Sequence, residues 1–430
     1  MFGLPNQDHF SLLYALNTFT SEAQIKQMSK QMFKLLLKST LPALATQQQA
    51  CKRLGLLGLL LLSLSALSAA SSPPAHQDLR HIKLGSPQSK ATIQLELKPN
   101  EHSLLFYAQS KAKDEGLVVL EILGPKGELI YRYDEAADSV AGEHLQLGVF
   151  NLDELSFYLP LDPRFPLKPG PYSIKVKSES GQALKRAGAI VRSGAIQGKQ
   201  FLDLSLWILS HNKTLHQPQH QKKYADQIRS QINRIIQPHG LQLGKVEVKL
   251  GTPAMIKAYS RLKTTDDDRI ETDVCTQLAK GSDSYRQLNV GIVDAILPSP
   301  QDIANDTGEN TGFALGLPGM LPLPDALWSC VLVAYDPEDE HQGGTLWHEA
   351  SHLMGLSHTS EQDGLSFDPL TDTPECPAED YDTDEDGLVD EEECVDLDAT
   401  NYMFWQGNGK AMTRQQAWVL RRHPFFYPLP

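Results

Sequence analysis

Three histidines with fixed spacing constrain the local fold more than any other feature of this 430-residue chain. They lie in the run Gly344-Thr-Leu-Trp-His348-Glu349-Ala-Ser-His352-Leu-Met-Gly355-Leu-Ser-His358. If the run begins as a helix, His348 and His352 are four residues apart and project from one face. Gly355 can adopt the left-handed backbone conformation that ends a helix and reverses the chain. The spacing therefore predicts a helix followed by a sharp turn, with all three imidazoles directed at one point.

Three neutral imidazoles are a typical ligand set for catalytic zinc, because they leave a fourth coordination position for water. Glu349 directly follows the first ligand, so its carboxylate is placed to accept a proton from that water. Each histidine taken singly is more simply explained as a surface residue or a capped core residue. The joint pattern predicts one catalytic Zn²⁺ held by His348, His352 and His358, with Glu349 as the general base.

The acidic residues are concentrated in one segment. The chain has 39 Lys+Arg and 53 Asp+Glu, a net charge of −14, yet residues 361–398 hold 17 of the acidic residues and no basic one. The acidic balance argues against a nucleic-acid partner. Residues 382–393 match the EF-hand calcium loop, with carboxylates at positions 1, 3, 5, 9 and 12 and Gly387 at position 6. The predicted Ca²⁺ ligands are Asp382, Asp384, Asp386, the carbonyl of Leu388, Asp390 and Glu393.

The N-terminal 70 residues match a leader that contains a secretory signal peptide. A basic pair at 52–53 precedes the apolar run Leu54–Leu67, and small residues follow it. This order predicts cleavage near Ala70, and the run is shorter than the roughly 20 residues of a membrane span. The stretch before the pair is too long for an ordinary n-region, so a start at Met28 or Met32, or an uncleaved anchor, stays open. The predicted location is secreted, periplasmic or extracellular, with no stable membrane partner if the signal is cleaved.

Export to an oxidising compartment affects how the cysteines are interpreted. Cys51 would leave with the signal, and the mature chain keeps an even number, which favours two disulfides over free buried thiols. Four cysteines allow three connectivities, of which Cys275–Cys330 with Cys376–Cys394 is the sequence-local one. A bridge between Cys376 and Cys394 would close the predicted calcium loop, as in thrombospondin-type repeats.

The remainder of the chain divides into two predicted domains. Residues 71–195 contain short alternating runs such as Leu117–Leu123 between Gly/Pro turns, which is typical of an antiparallel β-sandwich. Strand and helix patterns alternate in residues 196–430, where Lys223–Ile236 has a helical period and Leu288–Ile296 is a predicted strand. The predicted fold class is α+β, with an all-β sandwich-like accessory domain at 71–195. A catalytic domain at 196–430 follows it and carries the acidic insert 361–398.

The extended zinc pattern resembles the signature of the metzincin metallopeptidases. That resemblance implies a twisted mixed sheet, an active-site helix, and a Met-turn whose methionine packs beneath the zinc ligands, a place that Met403 matches. Within this clan the chain is most similar to the pappalysin-type family. Three stretches carry the similarity: Gly355-Leu-Ser-His358-Thr359, Asp372-Thr-Pro-Glu-Cys376 and Asn401-Tyr-Met403.

The pappalysin resemblance implies a secreted endopeptidase with a calcium-stabilised lower subdomain. It suggests that Gly312–Gly316 is an edge strand onto which substrate pairs, so that the substrate contacts Phe313, Ala314 and Leu315. It also implies a second calcium ion, for which the candidate ligands are Asp363, Asp368 and Asp372. The family commonly has a tyrosine two residues after the methionine. Here that residue is Trp405, whose indole donates one hydrogen bond but does not ionise, so no tyrosine role is assigned.

The predicted function is a secreted zinc endopeptidase that acts on a protein or peptide substrate. One alternative is a calcium-dependent extracellular binding or adhesion protein with a vestigial zinc site, which the intact Glu349 disfavours. The other is an exopeptidase of the same chemistry. It would need a group that captures a substrate terminus, and none is recognisable in the sequence.

Overall fold

Ten short strands make up the first part of the described chain. The computed structural model describes residues 78–428 apart from 113–114, 136, 138, 142–146, 151–152, 264–268, 298–310, 317, 324–328, 340 and 408. The predicted leader, its signal peptide and Ala70 therefore lie outside the described residues. The strands are β1 Leu79–Gly85, β2 Thr92–Leu97, β3 Glu101–Gln109, β4 Leu117–Leu123, β5 Leu129–Asp134, β6 Ser139–Ala141, β7 Leu147–Phe150, β8 Glu154–Leu159, β9 Gly170–Ser178 and β10 Arg186–Ser193.

These strands form two five-stranded antiparallel sheets, in the orders β1-β10-β3-β8-β7 and β2-β9-β4-β5-β6. Side chains alternate between the faces of a strand, and in β2 every second residue, Ile93, Leu95 and Leu97, is buried. Residues of both sheets contribute to one hydrophobic core. Two antiparallel sheets that share a core form a sandwich, which is the architecture that the alternating runs predict.

The second part of the chain alternates strands and helices. Its strands are β11 Gln200–Ile208, β12 Leu241–Leu250, β13 Arg261–Lys263, β14 Gln287–Val293, β15 Ala295–Leu297, β16 Gly312–Leu315, β17 Cys330–Ala334 and β18 Tyr427–Pro428. Its helices are α1 Pro218–Ile236, α2 Pro253–Tyr259, α3 Arg269–Lys280, α4 Gln342–Leu353, α5 Ala378–Tyr381 and α6 Arg414–Leu420.

A mixed sheet organises this second part, in the order β12-β11-β14-β17-β16, with β18 paired to β11. Strands β12 and β14 are parallel to β11, and β17 is parallel to β14. Strand β16 is antiparallel to β17 and is the last strand in this order. One edge of β16 is thus left without a strand partner among the described residues.

The two parts of the chain share a core. The largest hydrophobic cluster combines residues of α1, α4 and the mixed sheet with Leu105, Tyr107 and Tyr158 of the sandwich. A buried ion pair also joins them, because the Arg286 guanidinium donates to both carboxylate oxygens of Asp78, at 2.6 and 2.7 Å. The boundary at residue 195 stays a prediction, since the hydrophobic core is continuous across it.

The predicted α+β class is confirmed, and so is the sequence-local disulfide pairing, Cys275–Cys330 and Cys376–Cys394. The prediction of one strand over Leu288–Ile296 is wrong. The chain bends at Asp294, where two successive N–H groups donate to the carbonyl of Ser260. Strand β15 then pairs with β13 in a separate small sheet.

No helix among the described residues has the length and apolar character needed to cross a membrane.

Candidate metal centre

Helix α4 carries His348, Glu349 and His352, and it packs against β16, β17 and α1. Its first turn is held from α1, where the Gln231 side chain accepts a hydrogen bond from the Gly343 N–H at 2.7 Å. The helix ends as the spacing predicts, with Gly355 in the left-handed region at φ +96°. A Cβ at Gly355 would lie 2.9 Å from side-chain atoms of Leu161 and Tyr158, so the turn also needs glycine for its contact with the sandwich.

The structure brings the three histidines to one point. The Nε2 atom of His352 lies 3.0 Å from those of His348 and His358, and the His348–His358 distance is 3.2 Å. All three side chains are almost completely buried. The helix, the turn at Gly355 and the return of His358 are therefore arranged as the sequence predicts.

Hydrogen bonds at the opposite ring nitrogens fix the tautomers. The Nδ1–H groups of His348 and His352 donate to the carbonyls of Tyr402 and Leu356, at 2.7 and 2.8 Å. The Nδ1–H group of His358 donates to the Glu361 carboxylate, at 2.8 Å. Because a carbonyl can only accept, the Nδ1 atoms of His348 and His352 carry the proton and their Nε2 atoms present lone pairs to the common point, as does His358 Nε2 when that ring is neutral. Three converging lone pairs repel one another unless a cation lies between them.

The spacing of the three nitrogens fits zinc. Tetrahedral ligands at 2.0–2.1 Å from Zn²⁺ lie about 3.4 Å from one another, close to the 3.0–3.2 Å observed here. Outward Nδ1–H bonds to carbonyl or carboxylate oxygens are also typical of zinc-binding histidines. The group His348, His352 and His358 can therefore hold a metal ion.

Burial keeps two of the three imidazoles neutral. It lowers the pKa of His348 to about 3 and that of His352 well below its usual value. Burial acts in the same direction on His358, but the Glu361 carboxylate outweighs it and raises the pKa of His358. Since a metal ligand must present a lone pair, the first two histidines are suited to bind at neutral pH without competition from protons.

Glu349 lies beside this group, near enough to His358 for their charges to interact, and it is buried. Burial raises its pKa to about 7, although the nearby His358 and a hydrogen bond from the Ala314 N–H both favour the charged form. Its Oε2 atom is buried and has no hydrogen-bond partner among the described residues. A buried carboxylate oxygen without a donor is costly, and here it remains available to a proton donor at the site.

Strand β16 runs directly past Glu349. A Cβ on Gly312 would lie 2.7 Å from the Glu349 Cγ and 2.9 Å from the Thr345 Cγ2, so only glycine fits there. Ala314 and Leu315 are buried, and Phe313 is half-buried. The predicted substrate strand thus lies beside the general-base candidate, at the sheet edge that has no partner strand among the described residues.

The segment Asn401–Met403 supports the histidines through its backbone. The Tyr402 carbonyl accepts from His348, and the Met403 carbonyl accepts from the Thr359 N–H at 3.0 Å. Met403 is fully buried, and its own N–H donates to the Asn401 side chain at 2.9 Å. Trp405 is directed elsewhere, because its indole N–H donates to the Val389 carbonyl at 2.6 Å.

Only three of the predicted calcium ligands lie close together. Ligand oxygens of Asp382, Asp384 and Glu393 lie within 4.8 Å of one another. The Asp386 and Asp390 carboxylates are not in this group and accept hydrogen bonds from nearby backbone N–H groups. Gly387 has φ +84°, which agrees with the sharp turn expected at position 6.

The three candidates for a second calcium ion do not form one group of converging carboxylates among the described residues. Asp363 accepts from the Leu365 N–H, and Asp372 accepts from the Gln415 N–H. Asp368 is buried and accepts from Thr373 at 2.7 Å. The prediction of a shared site for these three carboxylates therefore gains no support from their arrangement.

Sequence reasoning missed Glu361 as the partner of His358. Its only signal was a carboxylate three residues after the third histidine, and three-residue spacings of this kind are common in an acidic segment. The contact depends on the turn that begins at Ser360, where the Ser360–Phe367 bridge folds Glu361 back towards the helix.

Comparison with known proteins gives little beyond this geometry. No family model and no curated protein matches the chain. Among solved structures, metalloproteinase-II from Bacteroides fragilis matches with a TM-score of 0.24 and 13% identity, over 42% of this chain and 55% of that one. The chain thus covers about half the length of that structure. A likeness at this TM-score does not define a shared fold, so the interpretation of the site rests on its own residues.

Proposed function

We propose that the chain is a zinc-dependent endopeptidase. The observation that carries the proposal is the convergence of three buried Nε2 atoms at 3.0–3.2 Å, each with its Nδ1–H committed to an acceptor. Glu349 supplies the second requirement, a buried carboxylate beside His358 whose Oε2 atom has no hydrogen-bond partner among the described residues. A non-catalytic structural zinc site is usually closed by a fourth protein ligand, and the described group contains three.

Each residue has a defined role in this proposal. His348, His352 and His358 would hold the ion, which supplies Lewis acidity towards water and a carbonyl oxygen. Glu349 accepts the proton of the attacking water and returns it to the leaving amine. A pKa that burial places near neutrality suits a group that must take and give a proton in one cycle.

Strand β16 supports a polypeptide substrate. Its unpartnered edge can pair with an extended peptide through backbone hydrogen bonds, beside Glu349. Pairing along a strand does not require a chain terminus, so this arrangement favours internal cleavage over removal of terminal residues. Phe313, Ala314 and Leu315 are the proposed contact residues.

The finer assignments belong to the same proposal. The order of ligand helix, glycine turn, third histidine and buried Met403 supports a metzincin of the pappalysin type, with Asn401–Met403 as its Met-turn. Two disulfides support an oxidising, extracytoplasmic location. The secretory leader and the domain division at 195 remain part of the proposal.

The variant Glu349→Gln tests the function. It keeps the shape of the side chain but not its basicity, so we expect peptidase activity on casein or a blocked peptide library to fall by at least about 100-fold. Zinc content, measured by atomic absorption, should stay near that of the parent. The exposed Glu379→Gln variant is the control for loss of one negative charge. An E349Q protein that cleaves at the parental rate contradicts the assignment.

We also propose a calcium ion in the loop 382–393. Two oxygens bound to one Ca²⁺ at 2.3–2.6 Å are at most about 5 Å apart, and the gathered oxygens of Asp382, Asp384 and Glu393 meet that limit. Calcium binding would draw in Asp386, the Leu388 carbonyl and Asp390. Millimolar calcium should then raise the melting temperature relative to EGTA, whereas equal melting temperatures count against the site.

A further inference from the structure

The side chain of Glu361 accepts a hydrogen bond from the Nδ1–H group of His358, one of the three zinc-ligand candidates. The other two ligand histidines donate to backbone carbonyls, which no side-chain substitution removes. Glu361 accepts from His358 Nδ1 at 2.8 Å, and its carboxylate is only 20% exposed. Neither the zinc pattern nor the calcium template assigns it a role.

The loop that carries Glu361 is held at several points. The Glu361 N–H donates to the Ser366 carbonyl, and the Glu361 carbonyl accepts from the Gly364 N–H. The carbonyl of Gln362 accepts from the Val389 N–H at 2.8 Å, which ties the loop to the acidic segment. Because its backbone is fixed on both sides, the Glu361 side chain reaches His358 without having to order a flexible segment.

The charges at the site explain why a carboxylate suits this position. Three neutral imidazoles leave both positive charges of a bound Zn²⁺ uncompensated, in a site whose ligand side chains are almost completely buried. Glu349 and Glu361 together supply two negative charges, one beside the metal position and one behind a ligand. A carboxylate behind a ligand histidine also makes the ring a stronger electron donor and holds it in one orientation.

We propose that Glu361 is a positioning residue for zinc, which acts through His358 by fixing its tautomer and orientation and by balancing the charge of the ion. This inference rests on the proposed function, because it takes His358 to be a zinc ligand. The inference goes beyond the proposed function because it names the residue that determines how tightly the third ligand, His358, binds zinc.

Zinc affinity and a cobalt spectrum test the inference without an activity assay. In competition with a chromogenic chelator at pH 7, we expect Glu361→Ala to weaken zinc binding by about 10- to 100-fold. Glu361→Gln keeps an acceptor for Nδ1–H but loses the charge, so its affinity should lie between those of E361A and the parent. The visible absorption of bound Co²⁺ should change in E361A, because a freed His358 ring alters the ligand field.

The controls separate this inference from the proposed function. Glu379→Gln removes one exposed negative charge from the same segment and should bind zinc as the parent does. If E361A and E361Q both bind zinc within about twofold of the parent, or if E379Q weakens binding equally, the inference is wrong. If the parent itself binds no zinc, the proposed function fails instead. Should E361A not fold, E361Q alone decides, since weaker zinc binding with an unchanged melting temperature excludes a merely structural role.

Discussion

The histidine site and the acidic loop are both candidate cation sites, yet the chain builds them in opposite ways. At the histidine site the three ligand atoms converge within 3.2 Å, all are buried, and every Nδ1–H has a partner. In the acidic loop only three of the five predicted carboxylates lie close together, none of the five residues is buried, and several accept hydrogen bonds from backbone N–H groups of the loop.

The difference follows from where each ligand is attached. Two of the histidines are on one helix and the third follows a glycine turn that packs on the sandwich, so the core fixes their positions. The loop carboxylates are on irregular backbone outside the main core. A site held by the core is preorganised, whereas a loop site must be ordered by the ion that it binds, which lowers affinity.

The largest effect should come from breaking the preorganised site. His352→Ala removes one of three ligands from an ion whose binding free energy is on the order of 10 kcal/mol, so zinc affinity should fall by more than about 100-fold. Peptidase activity should fall with it. Zinc content and activity of purified H352A give the measurement, with Asp384→Ala in the loop as the matched control. Equal zinc loss in the two variants would show that the two sites are not independent.

A second prediction concerns Asp368, a buried carboxylate of the acidic segment. Burial, aided by the charges of Asp372 and Asp398, raises its pKa to about 7, whereas an unfolded aspartate titrates near 3.8. The folded chain therefore binds more protons than the unfolded chain between about pH 4 and pH 7. The contribution of Asp368 to the free energy of unfolding should therefore fall as pH rises through that window, by about 4 kcal/mol at most. Above the window this contribution should stay level.

The variant Asp368→Asn should reduce this pH dependence while keeping an oxygen for the Thr373 hydroxyl, and Glu349, whose pKa burial also raises to about 7, should account for part of what remains. Urea unfolding of the parent and the variant at pH 5 and pH 8, in EGTA, measures the change in the free energy of unfolding with pH. A parent and a D368N protein with the same pH slope would contradict the prediction. Repeating the experiment in millimolar calcium sharpens the comparison. If Asp368 is a calcium ligand after all, calcium will stabilise the parent at pH 8 and not the variant.

The same contrast explains what the sequence could predict. The convergence of the histidines and the turn at Gly355 were predicted correctly because both depend on local geometry. Two disulfides were expected from the even number of cysteines, but three connectivities stayed open, and Cys275–Cys330 joins residues 55 positions apart. The predicted strand Leu288–Ile296 was too long, because the chain bends at Asp294, where it bonds to the Ser260 carbonyl. The local sequence pattern does not predict this contact. Glu361 was missed for a similar reason, since one carboxylate among 17 in residues 361–398 has no spacing that singles it out. How far the acidic loop closes depends on hydrogen bonds between its carboxylates and its backbone N–H groups, which the sequence pattern does not predict.

The smallest expected effects lie in the acidic loop itself. If the loop closes around calcium as an EF-hand loop does, Asp384→Asn and Asp390→Asn should each weaken calcium binding by about tenfold, or about 1.4 kcal/mol. If only the gathered carboxylates bind, D384N weakens it and D390N does not. Isothermal titration of both variants distinguishes these outcomes. Absence of calcium binding by the parent would remove the site from consideration.

The disulfide Cys376–Cys394 has a further consequence for the proposed peptidase. It spans the acidic loop, while His348, His352 and His358 precede it and Met403 follows it. A single cut between these cysteines adds one water to the mass but leaves both halves of the site on one covalent molecule. Such a nicked protein migrates as an intact chain until it is reduced, and only then separates into two bands. A gel run without reductant would therefore not detect the cut, whereas a gel run with reductant would.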